Sequence, residues 1–419
     1  MSPGRGLNVA IVGGGIGGLA TALCLDKMGV TAHVFEQSSE FGEVGAGIQL
    51  GPNAVRVLHT LGLAESLRDR SVQPAAALDF RRWDDGRQLG FQATAEEYER
   101  WYGAPYYVIH RAHLLDALLE QVPPLQLHRG HRCVGVDVRA DGAVLRFADL
   151  PAFEADIVVG ADGLNSLLRS QTIGDVPPEF TGLAAFRGLV PRGCLPDSAD
   201  LDKVGVWLGP GRHFVHYPVS GGLLNLVGLV TLSDPEPFQR RDTTPHEFHQ
   251  AFAGWNPAVL TLIDALDQTQ LWGLFRSARL PRWVTGRVAL IGDAAHAMLP
   301  FAAQGACQAI EDAAALAASL SGGVQKGDHG SSPDSAVDVA EVDAALGRFE
   351  ATRMPRASQV QDFADANAVA FHLDDGPGQI RRDAALAARS RDSLDWLFGY
   401  DAVGALGSPD QFPEVPTHR

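Results

Sequence analysis

The sequence predicts an α/β protein in which a parallel sheet is interleaved with a second, β-rich domain, and three observations lead there. The chain opens in the order strand, glycine turn, helix, strand: NVAIVG, GGIGG, LATALCLDKMG, TAHVFE. That order begins a parallel α/β sheet. Two further apolar strands that end in Gly and Asp, ADIVVGADG and VALIGDAAHAM, lie far downstream, and between them, from roughly 180 to 279, a β-rich alternation takes over. At 419 residues the chain also exceeds one ordinary domain of about 100 to 200 residues.

Each element has its own signal. NAVRVLHTLGLAESLRD (53 to 69) and RAHLLDALLEQ (111 to 121) carry helical periodicity, while residues 75 to 92 alternate as strands around a hairpin turn at RRWDDGR. Two strands split by Ala140-Asp141-Gly142 precede the buried strand in ADIVVGADG. AAFRGLVP, KVGVWLGP, HFVHYPV and LLNLVGLVTL are the strands of the second domain, and QGACQAIEDAAALAASL follows the last parallel strand as a long helix. The first domain is therefore placed at residues 1–72, 106–179 and 281–370, and the β-rich domain at 73–105 and 180–280. A C-terminal packing segment, 371–419, is anchored by LDWLFGYD. The stretch 321 to 336, rich in Gly, Ser and Asp, is expected to be a mobile loop.

Composition narrows the function. With 46% hydrophobic and 20% charged residues the chain is globular, not disordered. A net charge of −16 opposes nucleic-acid binding, which draws its affinity from clustered Lys and Arg. Cys24, Cys133, Cys194 and Cys307 stand far apart, with neither metal-ligand spacing nor a disulfide framework, so no metal and a cytoplasmic location are expected. No run approaches a membrane span of about 20 apolar residues, and the apolar N-terminus reads as folded structure rather than a signal sequence.

Gly13-x-Gly15-x-x-Gly18 follows a strand and opens a helix, and Glu36 ends the next strand. Such glycines allow a tight turn and bring a pyrophosphate up to the helix N-terminus, while the acid accepts ribose hydroxyls. NAD and FAD both present the ADP moiety that this unit grips. Two later segments bear on the choice: DIVVGADGLNSLLR (156 to 169) and GRVALIGDAAHAMLPFAAQGACQAIEDA (286 to 313). Each puts Gly and Asp at the end of an apolar strand, and the second starts a helix at Gly305. An Asp there can hold a ribityl or ribose hydroxyl, and a helix N-terminus stabilises negative charge on a flavin pyrimidine.

With these motifs in this order, the chain resembles the single-component class A FAD-dependent aromatic hydroxylases over nearly its whole length. Within them it is similar to salicylate hydroxylases, 3-hydroxybenzoate 6-hydroxylases and 6-hydroxynicotinate 3-monooxygenases, sharing wording such as GAGIQLGPNA, FRGLVP, HFVHYPV and QGACQAIEDA. The resemblance implies a glutathione-reductase-like FAD-binding Rossmann domain interleaved with a β-sheet substrate domain of the p-hydroxybenzoate-hydroxylase type. It implies bound FAD, NADH or NADPH as cosubstrate with NADH favoured, O2, a small phenolic acid such as salicylate, and a monomer or homodimer. Gly13, Gly15, Gly18, Glu36, Arg111, Asp162, Asp293, Gly305 and Ala306 match cofactor positions. The lesser alternatives are a turn or cap role for Asp162 and a surface position for Arg111, and His296 is expected to be structural.

In HFVHYPV the side chains alternate, so His213, Val215 and Tyr217 share one face and Phe214 and His216 the other. The family places a His and a Tyr four apart on a substrate-facing strand, matching His213 and Tyr217. The implied chemistry runs through a flavin C4a-hydroperoxide, attacked by a ring carbon that a deprotonated hydroxyl has activated. His213 is the expected base or relay, accepting a proton near its ordinary pKa of about 6.5, and Tyr217 the orienting partner; a polar outer sheet face is the alternative. Gln49, Arg187, Pro300 and Phe301 are the expected substrate walls, with Arg187 either pairing with a carboxylate or exposed on its strand. Gln49 stands where some relatives carry histidine, and Leu274-Phe275-Arg276-Ser277 departs from an Asp-Arg pair common there. Other expectations remain open: a hydroxylase or epoxidase of a larger polycyclic metabolite, or a flavin-binding redox partner without turnover.

Overall fold

The computed structural model describes residues 7–40, 46–90, 93–196, 199–233, 236–321, 339–402 and 404. The expected loop therefore lies, from 322 on, outside the described residues.

The expected parallel sheet is present. Its six strands run in the order Val284–Thr285, Val288–Leu290, Ile157–Gly160, Asn8–Val12, Thr31–Glu36 and Leu127–Arg129, parallel except for the short hairpin at the 284 edge. Runs such as VAIV and IVVG suit a strand covered on both faces, and Val9, Ala10, Ile11, Ile157, Val158 and Val159 are fully buried. Helix Ile16–Lys27 packs against helix Gly305–Ser321, and the long helix Val339–Phe371 packs on the latter in turn.

The second sheet has seven strands, in the order Arg240–Thr243, Thr269–Arg276, Glu179–Pro191, Leu223–Thr231, Arg212–Val219, Gly205–Gly209 and Asp79–Arg82. Its strands between 179 and 231 coincide with those expected, but the segment is not all β. Helices Pro245–Ala251 and Pro257–Asp264 cover one face, packing Phe248, Phe252, Val259 and Ile263 against Phe186, Trp207, Phe214 and Leu226. Each opens on a proline behind a capping Thr244 or Asn256, a start signal hidden by the length of the β pattern around it.

Two other expectations are corrected. Among the described residues of the 75 to 92 region, only Asp79–Arg82 is a strand; the return arm makes isolated bridges at Ala93 and Gln88. The helix expected at 53 to 69 is two helices, Pro52–Thr60 and Ala64–Arg70, separated where Gly62 adopts φ +88. A three-stranded sheet of Gly47–Leu50, Tyr107–His110 and Ser71–Val72 sets Gln49 opposite Val108. The helix Asp392–Phe398 buries Leu394, Leu397 and Phe398, which is the expected C-terminal anchoring.

Candidate active site

The glycine turn is built for close approach. A Cβ on Gly18 would lie 1.9 Å from the Gly13 carbonyl oxygen, and Gly13, at φ +110, has the Ala161 oxygen 2.3 Å from where its Cβ would be. Beside Gly15 and Gly305, by contrast, a Cβ would meet nothing within 4 Å. Gly15 caps helix Ile16–Lys27 without a side-chain hydrogen bond, leaving first-turn N–H groups for a ligand. Glu36 accepts from the Gly14 and Ser38 N–H groups, both at 2.8 Å, which fixes its carboxylate at the end of its strand. This open, uncapped cradle fits the pyrophosphate and ribose of a dinucleotide.

The remaining expected cofactor positions sit at strand ends and helix starts: Asp162 and Asp293 follow strands Ile157–Gly160 and Val288–Leu290 of the parallel sheet, and Arg111 follows Tyr107–His110 of the three-stranded one. Asp293 is exposed at the start of helix Asp293–His296, and Gly305 and the half-buried Ala306 open helix Gly305–Ser321. Arg111 is exposed at the first position of helix Arg111–Leu119, where its N–H donates to the Ala46 carbonyl. Asp162 accepts from Ser166 Oγ at 2.5 Å and the Leu168 N–H at 3.0 Å, so both its oxygens are engaged in organising the turn into helix Leu167–Thr172. Burial raises its pKa against those hydrogen bonds.

Beneath the Gly292-Asp293 turn runs a buried charge network. Asp312 accepts from the Gly292 N–H (2.9 Å) and from Arg353 Nε (2.8 Å), and shares a 2.6 Å hydrogen bond with His296 Nε2. Arg353 also donates to Glu311 (2.6 Å) and Gln308 (2.9 Å), and Arg356 donates to Glu311. Burial would raise the Asp312 carboxyl, but His296 and Arg353 hold it down to about 2. His296 thus serves the turn rather than the open cleft.

A narrow cavity of about 60 Å3 lies between the seven-stranded sheet and the C-terminal helices. Its walls include Gln49, His213, Pro300 and Phe301, four residues expected there, together with Phe80, Phe371 and Arg389. His213 is buried, with the Phe301 ring centroid at 5.0 Å. Its Nδ1 lies 2.8 Å from His372 Nε2. Its Nε2 makes no hydrogen bond among the described residues. Tyr217 is likewise buried but lies outside this lining, beside Gln49, whose Oε1 accepts from Tyr106 at 2.6 Å. Arg187 is also outside the lining: its partly buried guanidinium feels Tyr217 and Arg111, and its Nε is buried without a partner. Arg276, in the departing segment, pairs with Glu179 at 3.1 Å.

Alternation is as expected: His216 occupies the opposite face, its Nε2 2.2 Å from where a Cβ on Gly205 would stand. The polar outer face is not found, because both faces of the strand are covered. Burial changes the chemistry of the histidines too. It pushes His213 well below its ordinary value, helped by His372, and takes His216 and His372 down to about 4. His213 is therefore neutral at pH 7, a proton acceptor whose cation is disfavoured, instead of a base titrating near 6.5.

A histidine with a folded pKa below its unfolded value of about 6.5 adds stability above that value. The contribution disappears as pH falls toward the folded pKa. Thermal melts should show Tm level above pH 7 and dropping steadily from about pH 6.5 to 4, above the range in which Asp312 protonates; a Tm unchanged between pH 7 and 4.5 would refute this.

Sequence reasoning missed Arg389, which lines the cavity, and His372, which backs His213 from behind it, both from beyond residue 370. Neither sits in a motif, and no local pattern ties them to the histidine strand.

Comparison with known proteins bears on this arrangement. A family model described as FAD binding domain matches residues 6–332. The 3-amino-4-hydroxybenzoate 2-monooxygenase PtmB3 of Streptomyces platensis is 42% identical over 399 residues, covering 94% of this chain and 96% of that protein. Salicylate hydroxylase of Pseudomonas putida is 34% identical over 423 residues, covering 94% and 93%. A solved salicylate hydroxylase substrate complex superimposes with a TM-score of 0.82 at 30% identity, over 96% of this chain and 97% of that one. The HpxO structure from Klebsiella pneumoniae, complexed with FAD and uric acid, gives 0.79 at 26% identity, over 97% of both chains.

Proposed function

The chain belongs to the FAD-binding-domain family, as an FAD-dependent aromatic monooxygenase using NAD(P)H, and from that premise we propose that it hydroxylates a single-ring phenolic acid with His213 as proton acceptor. The first substrate to try is 3-amino-4-hydroxybenzoate, on which the relative at 42% identity is named to act; salicylate follows. The observation that carries the reading is His213 itself: buried in the cavity wall, anchored through Nδ1 by His372, with its other ring nitrogen left for a ligand.

The bound flavin would supply oxygen activation at the expense of NAD(P)H, held by the glycine turn, Glu36, Arg111, Asp162, Asp293 and the helix start at Gly305 and Ala306. The chain's own work is positioning and proton transfer. Neutral His213 takes the proton of the ring hydroxyl at Nε2 as its Nδ1–H passes to His372 Nε2, and the half-buried His372 releases a proton from its own Nδ1 to solvent, so neither ring holds a lasting positive charge. Electron density moved from oxygen into the ring makes a ring carbon nucleophilic. Gln49, oriented by Tyr106 and Tyr217, faces the substrate, and Pro300 and Phe301 close the wall, excluding water that would waste the activated oxygen. Tyr217 is a positioning residue, acting through Gln49, while Arg187 adds a positive charge behind it.

The narrow, ring-lined cavity favours a small acid over a polycyclic substrate. We place the enzyme in a reducing cytoplasm, as monomer or homodimer, with NADH as the preferred cosubstrate. The test is a panel of aminohydroxybenzoates and hydroxybenzoates read by NADH consumption and product mass. A phenolic acid should stimulate NADH oxidation and yield a product gaining one oxygen atom, with or without loss of CO2. NADH oxidation indifferent to every aromatic acid would sink the substrate class.

A further inference from the structure

Arg389 is the one charged side chain in the cavity wall; the other polar groups there, Gln49, Tyr106, His213 and Asn367, are neutral at pH 7. It follows helix Pro377–Ala387, and it borders two spaces at once. One is the inner cavity. The other is an open groove at the surface, between Arg87–Gly90 and the helix residues Gln379, Ile380, Asp383, Ala384 and Ala387.

Several arginines of this region are already paired. Arg82 pairs with Asp84 and Asp375, Arg87 with Asp85 and Asp383, Arg382 with Asp383, and Arg391 with Asp395. Arg389 differs: its guanidinium carbon sits 5.3 Å from the centre of the Phe80 ring, and no ion pair holds it among the described residues. A contact with an aromatic ring stabilises the charge without using the N–H groups, which stay available to a ligand. Burial lowers its pKa, though an arginine keeps its charge at neutral pH. A half-buried cation without a counter-ion gains from an anion that reaches it out of bulk water. In a chain of net charge −16 it is also a local reversal of sign that attracts an anion to this spot.

We propose that Arg389 is the carboxylate anchor of the substrate site, taking an aromatic acid from the groove and holding its carboxylate at the outer end of the cavity with the ring directed toward His213. The proposal rests on the phenolic-acid reading above and adds a determinant of specificity to it. Arg187, expected from the sequence as the carboxylate partner, lies outside the cavity lining beside Tyr217, whereas Arg389 supplies charge where a ligand can reach it. A planar guanidinium can meet a carboxylate through two parallel hydrogen bonds, which a lysine cannot reproduce.

The test uses the FAD-loaded enzyme without NADH. Binding of 3-hydroxybenzoate and of its uncharged match, 3-hydroxybenzamide, is followed by the change in flavin absorbance for wild type, R389Q and R389K. The wild type should prefer the acid. In R389Q, with flavin content and Tm retained, the acid should bind at least about tenfold more weakly, the loss expected for a charge-assisted hydrogen bond. The amide should change less than about twofold, and R389K should recover part of the acid preference. An acid preference that survives R389Q overturns the anchor while leaving the phenolic-acid reading intact. A wild type that binds the amide but not the acid overturns both.

Discussion

His213→Ala should retain FAD and lose hydroxylation by at least about 100-fold in kcat, the lower end of what a positioned general base contributes. The size of the effect follows from burial. The cavity is lined by Phe80, Pro300, Phe301 and Phe371, so water cannot easily stand in for the imidazole as a proton acceptor. The depressed pKa of His213 keeps the ring neutral through the physiological range, and the wild-type rate should not fall between pH 8 and 6 through protonation of this group. His372→Phe should show a smaller loss, because the 2.8 Å partner that receives the proton would be gone. Tyr217→Phe, which removes the hydroxyl beside Gln49, should act on coupling: NADH is consumed while product per NADH falls. Rapid-quench product measurement beside NADH oxidation separates these outcomes, and a His213→Ala variant with wild-type turnover and coupling would dispose of the base assignment.

The second large effect is expected far from the substrate. Arg353→Met should destabilise the fold by about 3 to 5 kcal/mol, as breaking one side of a buried ion pair does, and should loosen FAD in the protein that remains folded. Arg353 bridges Glu311 and Asp312, all three having side chains 0% exposed. Asp312 in turn accepts from the Gly292 N–H, so the network fixes the turn that presents Asp293. Without Arg353 the two adjacent carboxylates lose their shared cation. Arg353→Lys should rescue only in part, since one ammonium cannot serve both acids and Gln308 in the fork geometry. Differential scanning fluorimetry and flavin release, followed by the recovery of FAD fluorescence, are the readouts. A Tm and flavin affinity within error of wild type would remove any role for the network in cofactor binding.

The legible parts of the fold were those where a local pattern meets a local demand. The Gly13 to Gly18 turn has positions without room for a Cβ, and the runs VAIV and IVVG could only be doubly covered strands. Alternation in HFVHYPV separated His213 from His216 correctly. Other features were illegible because their cause lies elsewhere in the chain. Nothing in the strand reports that Phe248 and Phe252 cover its far face, so a polar outer surface remained possible. The ordinary pKa assumed for His213 failed for the same reason, since its shift comes from its surroundings and from His372, 159 residues away. The hairpin expected at 75 to 92 shows the opposite error: alternation persisted where only isolated bridges formed, because period two permits a strand without providing it a partner.

The parallel sheet is completed late, when Val288–Leu290 pairs with Ile157–Gly160 across roughly 130 intervening residues. On a ribosome adding about 5 to 20 residues per second, the apolar strand Ile157–Gly160 waits on the order of ten seconds with one edge unpaired. An exposed edge of this kind invites pairing with another chain. The interval before residue 290 emerges is thus the window in which that strand can mispair, a kinetic vulnerability that the finished protein, with the edge sealed, no longer displays.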